Sequence, residues 1–168
     1  MNNSIYKTEK DHAYTDTAWQ GKLYDSKNST KDIAQFIRHF CKKQYPECKF
    51  SISKRDFRAI DLILISAPYE IFEKPDIEKI PNNWHGTKED TLVYWQKSIE
   101  KGQHNVNQYY IDNDCFLNEK GKEIMHFLNN CATAYNYDDS DSQTDYFDTN
   151  FYYSLAIGKW DKPFTIKK

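Results

Sequence analysis

Glycine and proline are scarce in this chain, five of each in 168 residues, and five scattered glycines leave no glycine-rich loop to cradle a phosphate. Long apolar runs are missing too. The longest uninterrupted one, Leu62 to Ile65, is far too short to cross a bilayer. The opening MNNSIYKTEKDHAYTD lacks the apolar stretch of a secretory leader, so the expected compartment is the cytoplasm, with no membrane partner. Cys41, Cys48, Cys115 and Cys131 form no C-x-x-C pair and have no histidine at metal-ligand spacing. Free, mostly buried thiols are expected instead. The histidines, His12, His39, His85, His104 and His126, show no HExxH spacing and read as surface or capping residues. No serine sits in a G-x-S-x-G elbow. Neither a catalytic residue nor a metal or cofactor is expected.

What is present suffices for a folded core. Hydrophobic residues make up 39% and aromatics 16%, which argues against disorder, and the length fits one domain that needs no disulfide or metal staple. The small net charge of -2 hides a division: residues 1–58 hold 12 Lys/Arg against 7 Asp/Glu, and residues 59–168 hold 11 against 18. Such asymmetry steers an anionic partner to one side of a molecule, although many proteins show it without consequence.

Residues 1–28 have neither helical nor strand period and read as an N-terminal arm or lead-in; residues 29–168 read as a single α+β domain. Ser29 followed by Asp32 resembles a capping box, and Ile33, Phe36, Ile37, Phe40 and Cys41 recur at helical spacing until Pro46. Lys31, Gln35, Arg38 and Lys42 line the opposite side as a basic stripe. A short strand through Phe50 and Ile52, a cationic hairpin tip from Lys54 to Arg58 and a strong central strand over Ala59 to Ala67 follow, the last expected to be covered on both faces. Thr87 and Asp90 open a second helix that Gly102 stops. A third strand is expected over Val106 to Ile111, a third helix from Leu117 or Asn118, and a fourth strand over Phe151 to Ile157. Together these predict an antiparallel sheet of about four strands packed by about three helices.

Two sets of residues carry candidate chemistry. Between the third helix and fourth strand, aspartates, tyrosines and phenylalanines interleave without one cation. Asp138, Asp139, Asp141, Asp145 and Asp148 either cap backbone amides and turn the chain, with Tyr137, Tyr146 and Phe147 pinning the loop, or gather a Mg²⁺ for nuclease chemistry. The calcium-loop pattern fails, since glycine and glutamate are missing from its required positions. The second set is Lys31, Arg38, Lys42, Lys54, Arg55 and Arg58, which either meet phosphates, with Phe57 or tyrosines as stacking platforms, or form an ordinary solvated face.

The stretch YNYDDSDSQTDYFDTNFY, with TKDIAQFIRHFCKKQYPECKFSIS before it, resembles a large polyvalent protein-associated domain of phages and conjugative elements, over roughly residues 29–162. Within these 168 residues the domain is expected to stand nearly alone, so no activity is borrowed from fused neighbours. The resemblance implies a mobile-element setting in a bacterial host cell. It points to a non-enzymatic, anti-CRISPR-like counter-defence protein that binds a nuclease effector of a bacterial defence system, its guide RNA, or both. The alternatives are a Mg²⁺-dependent nuclease using Asp138 to Asp148 and a structural adaptor for other element-encoded proteins.

Overall fold

The computed structural model describes residues 7–10, 13–82 and 86–167; His12, His85 and the first six residues of the lead-in lie outside them. The element order is β1 (Lys7–Glu9), β2 (Trp19–Gly21), α1 (Thr30–Gln44), β3 (Lys49–Arg55), β4 (Ala59–Ala67), α2 (Lys88–Lys101), β5 (His104–Val106), α3 (Glu119–Ala134), β6 (Tyr137–Asp138), β7 (Tyr152–Ile157) and β8 (Thr165–Ile166). Short 3-10 turns occupy Ile77–Lys79 and Ile111–Asn113.

Each helix begins where a side chain can satisfy an orphan amide. Ser29 accepts from the Asp32 amide while Asp32 accepts from that of Ser29; Thr87 caps α2 through the Asp90 amide and Asn118 caps α3 through that of Gly121. Along α1, Ile33, Ala34, Ile37 and Cys41 are buried. Phe36 and Phe40, expected on the same inward stripe, remain 39% and 38% exposed; they flank the buried arc, and Phe36 stacks on Tyr135 with centroids 5.5 Å apart. All four cysteines are free thiols, and burial pushes those of Cys41 and Cys131 up to about 12.

The main sheet has the order β3-β4-β7-β5, with β8 continuing alongside the end of β4. It differs from the expected antiparallel four-stranded sheet, because β4 pairs β7 in parallel, from Ala59 opposite Tyr152 to Leu64 opposite Ile157. The long crossover through α2 and α3 returns the chain to the Ala59 end of β4, where the Tyr152 amide donates to the Arg58 carbonyl, and β7 must then run in the same direction. A second sheet, β1-β2-β6, is antiparallel. Its strands β1 and β2 come from the lead-in. The strand expected over Val106 to Ile111 is instead β5, which ends at Val106. There Asn107 accepts from the Tyr109 amide and turns the chain, so that Ile111 enters the core from a 3-10 turn.

Side chains of β4 alternate. Ile60, Leu62 and Leu64 are fully buried within one core that includes Ile33 and Ile37 of α1 and Ile124 and Leu128 of α3, each large residue contributing about 1.5–3 kcal/mol on burial. On the opposite face Asp61 and Ile63 stay partly exposed, so the expected cover on both faces is incomplete. α2 stands beside that open face, anchored by Trp95, which stacks flat on Phe116 at 5.2 Å and packs with Ile80.

Where β7 leaves the sheet, Gly158 adopts φ 60, and a Cβ there would run into the carbonyl of Gly102. Gly158→Ala therefore combines a left-handed backbone with overpacking, and a loss of about 1–3 kcal/mol is expected in urea unfolding. An unchanged midpoint would show that the contact relaxes freely.

Candidate functional site

The aspartate-rich stretch is organised around the lead-in. Asp139, 1% exposed, accepts from the amides of Tyr14 and Thr15, both at 2.8 Å, from the Thr15 hydroxyl at 3.0 Å and from Lys10 Nζ at 3.1 Å. Lys10 also reaches Asp148 at 2.8 Å and lies 4.4 Å from the centroid of the Tyr137 ring, whose hydroxyl donates to Asp148 at 2.9 Å. Asp138 accepts from the Ser140 amide, Asp141 from the Gln143 amide and the Thr144 hydroxyl. Asp145 takes a left-handed φ of 55 in the turn that Asp141 and Tyr146 close by exchanging backbone hydrogen bonds. Tyr146 packs against Tyr14 with the rings tilted by 43° and centroids 4.4 Å apart, and Phe147 is exposed. Two carboxylates thus share one ammonium. Among the described residues no group of three His, Cys, Asp or Glu converges as a metal site.

Electrostatics follow from these contacts. Burial alone raises the Asp139 carboxyl, but the amides of Tyr14 and Thr15, together with Lys10, reverse this and hold it well below the ordinary carboxylate range. The hydrogen bond from Lys10 lowers Asp148 against a smaller cost of burial.

The six expected basic residues do not form one patch. Lys31 and Lys42 are exposed on α1, and Arg38 donates from Nε to the Ile52 carbonyl at 2.9 Å. Arg58 is committed to the carbonyls of Thr149 and Asn150, holding the start of β7 to the hairpin. Lys54 lies 5.6 Å from the Phe57 ring at the hairpin tip. Only Arg55 of the six lines the open face of the sheet.

That face forms a cleft of about 410 Å³. Register sets its floor in rows: Arg55, Ala59 and Tyr152; then Ser53, Asp61 and Ser154; then Ser51, Ile63, Ala156 and Asn105. Tyr94, Lys97, Ser98 and Lys101 of α2 make one wall, and Lys159 and Trp160 close the far end. Arg55, Lys97, Lys101 and Lys159 thus oppose one carboxylate, Asp61. Lys159 lies 3.7 Å from Asp161, whereas Lys97 and Lys101 have no ion-pair partner among the described residues. Trp160 is 86% exposed and Tyr152 55%. Tyr152 opens β7 at one end of the floor, and Trp160 follows the turn beyond the other end of that strand.

His104, expected at the surface, is buried at the side of this cleft. Its Nε2 pairs with Asp114 at 2.7 Å, its ring stacks on Phe116, and its Nδ1 is enclosed without a partner among the described residues. It ties β5 to the Trp95–Phe116 stack. His126 pairs with Asp112 at 2.6 Å, and His39 is exposed. The α2 wall was not singled out from the sequence, yet Tyr94, Lys97, Ser98 and Lys101 recur at steps of three, one and three, a helical face of cations and hydroxyls.

Because Asp139 and Asp148 titrate low when folded, their stabilising contribution is complete above the unfolded carboxylate range, near pH 4, and is lost as pH falls below it. Hydrogen exchange should find the Tyr14 and Thr15 amides protected at neutral pH and progressively unprotected under acid. Asp139→Ala, which removes both acceptor oxygens, should release them at neutral pH; undiminished protection in that variant would contradict the geometry.

A family described as large polyvalent protein associated domain 29 matches residues 28–126. The matched region carries α1, β3, β4, α2, β5 and the first half of α3. It therefore includes the stretch Thr30 to Ser53 and the α2 wall of the cleft, and it ends before the aspartate-rich loop, β7 and Trp160. Neither a curated protein nor a solved structure matches the chain significantly. With more than half of its length matched, the chain belongs to the large polyvalent protein associated domain 29 family.

Proposed function

We propose that this is a non-enzymatic, anti-CRISPR-like counter-defence protein of a mobile genetic element, working in the bacterial cytoplasm. It binds a nuclease effector of a bacterial defence system through the effector's single-stranded guide RNA. The observation that carries the reading is the open sheet face, where four cations oppose one carboxylate between two exposed rings. Lysines without partners attract a phosphate chain and release its counterions, while exposed aromatic faces take unpaired bases at about 1–3 kcal/mol each. A duplex keeps its bases stacked and offers them to neither ring, which favours a single strand. The family's association with phages and mobile elements supports the setting.

Binding without turnover is favoured by how the reactive groups are spent. His104 has one nitrogen on Asp114 and the other enclosed. Asp139 and Asp148, two of the five carboxylates from Asp138 to Asp148 that a Mg²⁺ nuclease would draw on, already share the Lys10 ammonium. The adaptor reading has one observation in its favour, a groove of about 580 Å³ between α1 and α3 lined by Leu23, Phe40, Phe127 and Tyr135.

Fluorescence anisotropy with labelled single-stranded RNA tests the reading. The double variant Lys97→Ala, Lys101→Ala should bind more weakly, with a slope of log affinity against log salt shallower by about 1.4. Lys31→Ala, Lys42→Ala should change little. No RNA binding at low salt, or salt-independent capture of a protein partner alone, would replace the RNA reading with the adaptor; failure to protect a phage or plasmid from purified effector would remove counter-defence.

A further inference from the structure

We propose that Asp61 is a base-reading residue of the cleft, selecting cytosine over uracil by accepting a hydrogen bond from the exocyclic amine; the proposal rests on the single-stranded RNA reading above. Among the described residues Asp61 is the only carboxylate lining a surface otherwise lined by cations and neutral groups. A carboxylate there repels phosphate, so what it can take from an RNA strand is a neutral donor. Its position is fixed from both sides: Oδ1 accepts from Ser154 Oγ at 2.7 Å and lies 3.5 Å from Arg55 Nε. Oδ2 has no hydrogen-bond partner among the described residues, and the side chain keeps 22% of its exposure.

The surroundings suit a base lying on the floor. Ile63 and Ala156, paired in register in the row beside Asp61 and Ser154, give an apolar seat for a ring face. Cytosine presents a two-hydrogen amine at one end of its pairing edge, which a single carboxylate oxygen can accept. Uracil offers one N–H set between two carbonyl oxygens, and these face the carboxylate with like partial charge. The two rings have the same size and stack alike, so discrimination between them reports the edge contact and not the platform.

Short cytidine and uridine oligomers of equal length, compared by anisotropy in one buffer, test this. Wild-type protein should bind the cytidine oligomer about tenfold more tightly. Asp61→Asn, whose amide both accepts and donates, should bring the two affinities together, chiefly by strengthening uridine binding. Ser154→Ala, which frees Oδ1 while keeping the carboxylate, should retain the preference. Equal wild-type affinities, a uridine preference, a preference that survives Asp61→Asn, or an equal gain for both oligomers would each overturn base reading while leaving RNA binding intact. Absence of binding to either oligomer at low salt would instead remove the reading beneath it. The wild-type comparison stands even if Asp61→Asn does not fold.

Discussion

The alternation of side chains along β4 is the constraint on which the rest of the molecule depends. Its even positions, Ile60, Leu62 and Leu64, have no exposed surface and sit at the centre of the core beneath α1 and α3. Its odd positions, Asp61 and Ile63, then necessarily face the other way. One strand therefore supplies both the hydrophobic anchor and the floor of the cleft, and a slip of one residue in its register would exchange them. Pairing in parallel with β7 adds Ser154 and Ala156 to the same floor.

Charge is used in two different ways in two parts of the molecule. Around Lys10 the carboxylates of Asp139 and Asp148 are satisfied by an ammonium, backbone amides and a tyrosine hydroxyl, so a highly acidic stretch becomes an attachment point for the lead-in. In the cleft the lysines of α2 are left without carboxylates among the described residues. Saturated charge holds structure together, and charge without a partner is available to a ligand.

Local elements were legible because their causes are local. Ser29, Thr87 and Asn118 announce the three helices, and Gly102 ends α2 in the left-handed conformation that glycine favours. The apolar run of β4 and the aromatic and aliphatic run from Phe151 to Ile157 marked both strands. The cleft was not legible, since its residues come from β3, β4, α2, β5, β7 and the segment after β7. The basic residues chosen by sequence proximity divide accordingly: Arg58 and Arg38 are spent on backbone carbonyls, and Arg55 alone reaches the open face.

The sequence by itself determined the helices, the two main strands and the membership of an α+β class, because capping and periodicity act over a few residues. Only the tertiary structure decided that β4 and β7 run parallel, that Lys10 and Thr15 meet Asp139 across more than a hundred residues, and that Lys97, Lys101 and Trp160 border one floor. Those arrangements follow from which hydrophobic faces bury one another, and chain spacing carries no record of that.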